Sequence, residues 1–173
     1  MKYILILLLI LTVSFSSCEK DDICDADTST TPRLIINFYD INDPSTAKSV
    51  TDLKVIAEGM SEGITYNSST LVNGSKVAIP LKIDADLVKF KFILNYDNAN
   101  TAIINEDDIQ FNYTRTTIFV SRACGYKTNY ELNQLSPFIH SDGAAADEKW
   151  ILEIVVKNRS ITNENETHLE IYH

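Results

Sequence analysis

Residues 87–96 alternate without interruption. Phe90, Phe92, Leu94 and Tyr96 fall on one face, and Lys89, Lys91, Ile93 and Asn95 on the other. A period of two places successive side chains on opposite faces of a strand; an amphipathic helix would repeat its apolar residues every three or four positions. The pattern recurs along the chain. Leu34–Tyr39 is a short apolar run. Over 53–58, Leu53, Val55 and Ala57 oppose Lys54, Ile56 and Glu58, and 63–66 is a weaker candidate. Over 76–83, Val77, Ile79, Leu81 and Ile83 oppose Lys76, Ala78, Pro80 and Lys82. Pro80 cannot donate to a ladder, so that strand lies at an edge or breaks there. Ile109, Phe111 and Tyr113 alternate with Gln110, Asn112 and Thr114, followed by 116–121 and 130–135. Trp150, Leu152, Ile154 and Val156 alternate with Ile151, Glu153, Val155 and Lys157, and Leu169 and Ile171 follow.

No stretch combines helical period with caps; 142–149, with Ala144, Ala145 and Ala146, reads as a short helical turn or a loop. Several short strands separated by turn signals predict an all-β fold, a two-sheet antiparallel β-sandwich of immunoglobulin- or transthyretin-like type. The second face of several strands keeps Ile or Val, which favours two packed sheets over one solvated sheet. Phe90, Phe92, Phe111 and Trp150 are expected to dominate the core, since each large side chain contributes about 1.5–3 kcal/mol when buried.

The N-terminal segment follows a different logic. Lys2 precedes an apolar run over 3–13, then Ser14, Phe15, Ser16, Ser17 and Cys18. The run has the length of a signal-peptide h-region, falls short of the ~20 residues that span a bilayer, and has no polar face to suit a core helix. Small residues leading into a cysteine resemble the lipobox of bacterial lipoproteins, although Phe15 stands where the usual pattern has Leu. The resemblance implies that the leader, 1–17, is a signal helix cut before Cys18 and that the Cys18 sulfur carries diacylglycerol. Anchoring would follow, since each buried methylene contributes ~0.8 kcal/mol and two or three chains hold stably. The plain alternative is a secreted protein with an ordinary thiol at 18. Lys20, Asp21 and Asp22 look like the export signal that sends Bacteroidota lipoproteins to the cell-surface leaflet of the outer membrane; a charged, solvated tether is the simpler reading. Residues 18–32 are expected to form a flexible tether and 33–173 the sandwich domain.

The chain has 24 acidic and 15 basic side chains, a net charge of −9. The leader holds one of the basic residues, Lys2, so its removal leaves 24 against 14, a net of −10. A surface of that sign, with no basic stripe, excludes a nucleic-acid partner. With Cys18 lipidated, Cys24 and Cys124 remain. Export places them in an oxidising compartment, and an even remainder suggests a Cys24–Cys124 disulfide that staples tether to domain. The sharper alternative makes Cys124, followed by Gly125, a catalytic thiolate, with Arg122 and Lys127 as the nearest cations.

A wider resemblance rests on five segments. These are Cys18-Glu-Lys-Asp-Asp-Ile-Cys24, Thr31-Pro-Arg-Leu-Ile-Ile-Asn-Phe-Tyr39, Phe111-Asn-Tyr-Thr-Arg115, Val120-Ser-Arg-Ala-Cys-Gly-Tyr126 and Asn163-Glu-Asn-Glu-Thr-His168. Together they resemble an uncharacterised family of flavobacterial lipoproteins, a domain of unknown function. The resemblance implies location and relatedness and supplies no activity.

An enzyme needs a nucleophile with its base, a carboxylate pair or a metal site. His140, His168 and His173 are not at metal-ligand spacing, and His168 and His173 read as exposed residues near the last strand. Asp25-x-Asp27-x-Ser29 has the opening spacing of a calcium loop but lacks its glycine and terminal Glu, and Glu106-Asp107-Asp108 reads as a solvated turn. Trp150 reads as core. Tyr126 and Tyr130 form the candidate recognition patch, and Arg115 and Arg122 read as paired arginines. No catalytic residue, metal or cofactor is indicated. The expected function is a lipid-anchored, non-enzymatic binding or scaffolding module at the outer membrane, its partner another envelope protein or a glycan. The alternatives are a surface hydrolase acting on glycan or peptide, with two carboxylates in a concave cleft, and an accessory subunit of an outer-membrane transporter.

Overall fold

A computed structural model describes residues 23–25, 28, 30–144 and 148–173. The expected signal helix, Cys18 and the Lys20, Asp21 and Asp22 signal lie outside the described residues, as do Asp27, Ser29, Ala145 and Ala146. Among the described residues there is no α-helix, and no helix is long and apolar enough to cross a membrane.

Among the described residues eleven strands form two sheets that pack face to face, the predicted sandwich. They are β1 (Leu34–Tyr39), β2 (Val50–Ala57), β3 (Val72–Gly74), β4 (Lys76–Ile79), β5 (Leu87–Leu94), β6 (Asn105–Ser121), β7 (Gly125–Leu132), β8 (Phe138–Asp142), β9 (Glu153–Val156), β10 (Ser160–Ile161) and β11 (Leu169–Tyr172). One sheet has the order β4-β1-β11-β9; the other runs β10-β7-β6-β5-β2-β3, with β8 also paired to β6. Leu34, Ile36 and Phe38 of β1 join Leu169 and Ile171 of β11 on one side of the core. Phe90, Phe92, Ile109 and Phe111 face them from the other. Trp150 closes one end, and its indole N–H donates to the Phe92 carbonyl at 3.0 Å. All four side chains expected to dominate the core are buried.

Pairing is antiparallel throughout except between β1 and β11, which run parallel from Ile36↔Leu169 to Tyr39↔Tyr172. β4 stops at Ile79 and forms a sheet edge, so Pro80 both ends the strand and sits where no ladder donor is needed. The candidate strand at 63–66 is a loop with one isolated bridge, Tyr66↔Ser69. The segments read separately at 109–114 and 116–121 are one strand of 17 residues, β6. Where β8 ends against β6, a Cβ on Gly143 would meet the Glu106 carbonyl oxygen at 2.3 Å, so only glycine fits.

The parallel pair also corrects the reading of His168. It is fully buried. Its Nδ1 accepts from the Ile35 N–H at 2.9 Å, and its own N–H donates to the Ile35 carbonyl. The accepting Nδ1 fixes the neutral ring, and burial pushes its pKa down. Burial also lowers His173, with the nearby Lys48 adding to the effect. A depressed imidazole contributes stability that is complete above its unfolded value of about 6.5 and is lost as the pH falls towards its folded value. The urea midpoint should therefore drop between pH 7.5 and 5.5, a window above the range in which the lowered carboxylate of Glu164 is protonated. A midpoint that is flat or rises on acidification would contradict this account of His168.

Candidate functional site

Two surface features carry chemistry: a groove on the outer face of the larger sheet and an arm that projects from it. The groove has a volume of about 400 Å³. Its rows follow from the registers. Ile56 of β2, Lys91 of β5, Asp108 of β6 and Ser141 of β8 align across four strands, and Lys89, Gln110 and Ile139 form the next row. Alternation turns these side chains outward while Val55, Phe90, Phe92, Ile109 and Phe111 turn inward. Met60 and Ile139 are more than half exposed and give the groove aliphatic walls.

Two ion pairs flank those walls. Lys91 Nζ lies 2.7 Å from Glu106 Oε1, and this hydrogen bond raises the lysine pKa. Lys89 Nζ lies 3.8 Å from Glu58. Desolvation in the groove raises the Asp108 pKa, against the pull of Lys91. The stretch 106–108 is therefore not a solvated turn. It lies on β6, where Glu106 and Asp108 face out and Asp107 is buried completely.

Asp107 Oδ2 accepts from the Ile151 N–H at 2.9 Å and stands 3.0 Å from His140 Nε2, while its Oδ1 is buried without a hydrogen-bond partner. An imidazole held by a buried carboxylate makes two of the three members of a hydrolytic triad. The neighbouring hydroxyl, Ser141, lines the outer groove, whereas His140 points inward, because adjacent strand residues face opposite ways. The pair thus holds the Ile151 segment on the sheet, and the adjacent hydroxyl of Ser141 is turned away from it. Among the described residues no three His, Cys, Asp or Glu side chains come together as a metal-binding group.

The arm is the outer half of β6 with β7. β5 pairs with β6 only as far as Asn112, so the backbone of residues 114–121 of β6 is laddered to β7, with the Arg115 side chain reaching back to Asp86. Towards the tip, Phe119 sits opposite Tyr126 with ring centroids 5.3 Å apart and edge-to-face. The two rings are 56 % and 69 % exposed, and Ile118 is exposed on the other face. Cys124 lies in the turn, next to Gly125 with φ +69°, and is bonded to Cys24 with the Cα atoms 5.0 Å apart. The expected disulfide is present, which removes the free thiolate reading of Cys124. Further along, the Thr128 N–H donates to Thr31 Oγ1 at 3.0 Å, and Arg33 grips Glu164 with two guanidinium contacts, at 2.9 and 2.6 Å. The later part of the expected tether is thus fastened to the domain.

The tyrosine patch needs correction. Tyr126 is exposed, but Tyr130 is buried. Its hydroxyl donates to the Leu81 carbonyl at 3.2 Å and its ring packs edge-on against Tyr113. The aromatic partner of Tyr126 is Phe119, across the ladder. Arg115 pairs with Asp86 at 2.7 Å, as a structural arginine would; Arg122 is exposed in the arm turn. Sequence reading also missed β8, which supplies Ile139 and Ser141 to the groove. Its inward residues are Phe138, His140 and Asp142, and two polar residues on the core face hide the apolar alternation that marks a strand.

No curated protein and no solved structure matches this chain. A family model does, over residues 52–173, which takes in both strands of the arm, Cys124 and the whole groove, and leaves β1 and Cys24 outside. Of the segments that carry the resemblance, those at 111–115, 120–126 and 163–168 fall inside the matched range. The chain belongs to the Family of unknown function (DUF6452).

Proposed function

We propose that this protein is a lipid-anchored, non-enzymatic module of a bacterial outer membrane, of Bacteroidota type, whose outer-face groove binds a segment of another envelope protein. The anchor rests on the leader and Cys18, and surface display on Lys20, Asp21 and Asp22. The observation that carries the binding role is the groove itself. It sets aliphatic walls from Ile56, Met60 and Ile139 between the Lys89–Glu58 and Lys91–Glu106 pairs. Such a surface suits an extended segment with apolar side chains spaced between polar ones. It has no exposed aromatic platform, which argues for protein over glycan. A hydrolase reading would need two carboxyl groups free to act together; here Glu58 and Glu106 are each engaged by a lysine, which leaves Asp108 as a single groove carboxyl.

Photo-crosslinking from position 60 in living cells tests this. An adduct of one reproducible mass is expected from position 60 and not from position 135, which lies outside the groove. Ile56→Lys should abolish that adduct while leaving the unfolding midpoint within about 0.5 kcal/mol of wild type, as befits a surface change. Equal crosslinking from 60 and 135, or an adduct indifferent to Ile56→Lys, would remove the groove from the account.

A further inference from the structure

The arm has a geometry that neither the sandwich nor the groove uses. A two-stranded ribbon is marginal in water on its own, yet this one projects beyond β5 and exposes Phe119, Tyr126 and Ile118 near its end. Its turn is covalently bonded to Cys24. Cys24 lies six positions after Cys18, with five residues between them, and six residue steps span at most about 22 Å when fully extended. The disulfide adds 5.0 Å between the Cα atoms, so whatever fixes Cys18 holds the Cys124 turn within about 27 Å.

We propose that the arm is the face this protein lays on its own membrane, with Phe119 and Tyr126 seated at the headgroup level. The inference rests on acylation of Cys18. The amphipathic ring of a tyrosine favours the membrane–water interface, the apolar ring of Phe119 beside it adds buried apolar area, and a short covalent leash turns a weak contact into an intramolecular one. Charge does not drive the contact. The leash carries Glu19, Asp21 and Asp22 against Lys20, a net of −2, and Arg122 is exposed in the turn, so the attraction is carried by the rings and holds for zwitterionic lipid. The consequence is orientation: the domain stands on its arm at a fixed attitude instead of swinging from the anchor.

Brominated lipid reads this directly. The full chain, acylated in cells, is reconstituted into phosphatidylcholine vesicles brominated near the top of the acyl chains, as Phe119→Trp and as Leu135→Trp. Leu135 is almost fully exposed in a loop outside the arm, and the native Trp150 is buried and provides a common background. The emission added by Phe119→Trp should be blue-shifted and quenched, and that added by Leu135→Trp should be neither. Reduction of the disulfide in the same vesicles should release the quenching. The mass of Cys18 is read on the same sample. An acylated protein with unquenched Phe119→Trp emission overturns the arm contact alone and leaves the anchor standing, with the rings then free for a protein partner. Quenching that survives reduction overturns the role of the disulfide. An unacylated Cys18 overturns the anchor and this inference together.

Discussion

Asp107→Ala is expected to cost about 3–5 kcal/mol, the scale for losing two hydrogen bonds to one buried carboxyl and leaving a buried N–H unbonded. The carboxylate is fully buried and joins three elements: its own strand β6, His140 on β8 and the Ile151 N–H that precedes β9. Alanine leaves the Ile151 N–H buried and unbonded and frees the segment that carries Trp150. Both losses act on the end of the core where Trp150, Phe38 and His173 meet. Asp107→Asn keeps an acceptor for the Ile151 N–H and should cost less than about 2 kcal/mol. Urea unfolding of the two variants gives the comparison. An Ala variant within about 1 kcal/mol of wild type, the size of an average substitution, would show that the carboxylate is not the clasp described here.

Loss of the disulfide is the second large effect. The bond joins residues 100 positions apart. Chain-entropy arguments assign a loop of that length up to about 4.7 kcal/mol, with about 2–4 kcal/mol typical of measured cases. Cys24→Ser combined with Cys124→Ser should therefore lower stability by that amount. The sandwich should persist, since Thr31 and Arg33 still dock and the core is untouched. Hydrogen exchange should rise along residues 114–128, the arm, well before it rises along β5. Stability and arm protection unchanged from wild type would mean that the arm is held by contacts other than this bond.

What was legible in the sequence follows from local physics. Alternation marked β5 almost to the residue, because it buries one continuous apolar face, and an unbroken apolar run marked β1, which is buried on both faces at Leu34, Ile35 and Ile36. Pro80 marked the end of β4 through its missing donor. The cysteine pairing followed from counting. What escaped depends on partners distant in sequence. His168 read as exposed because its acceptor role is supplied by Ile35, 133 positions away, through a parallel pair that no local pattern encodes. Asp107 read as part of an acidic turn because three acidic residues in a row resemble a solvated loop; only the register of β6 shows that the middle one faces the core. Tyr126 and Tyr130 looked equivalent, yet the first lies near the tip of a free ribbon and the second at its base, under Tyr113. The groove was invisible for a related reason. Its walls come from four strands whose outward residues are an ordinary mixture of Ile, Lys and Asp until register sets them in rows.

The proposed membrane anchor at position 18 is tested by the mass of the N-terminal proteolytic fragment from protein extracted with the membrane. Trypsin should yield Cys18-Glu19-Lys20 with nothing before the cysteine and with the added mass of a thioether-linked diacylglycerol. A fragment bearing a free thiol at Cys18, or one still joined to the apolar leader, would contradict the account.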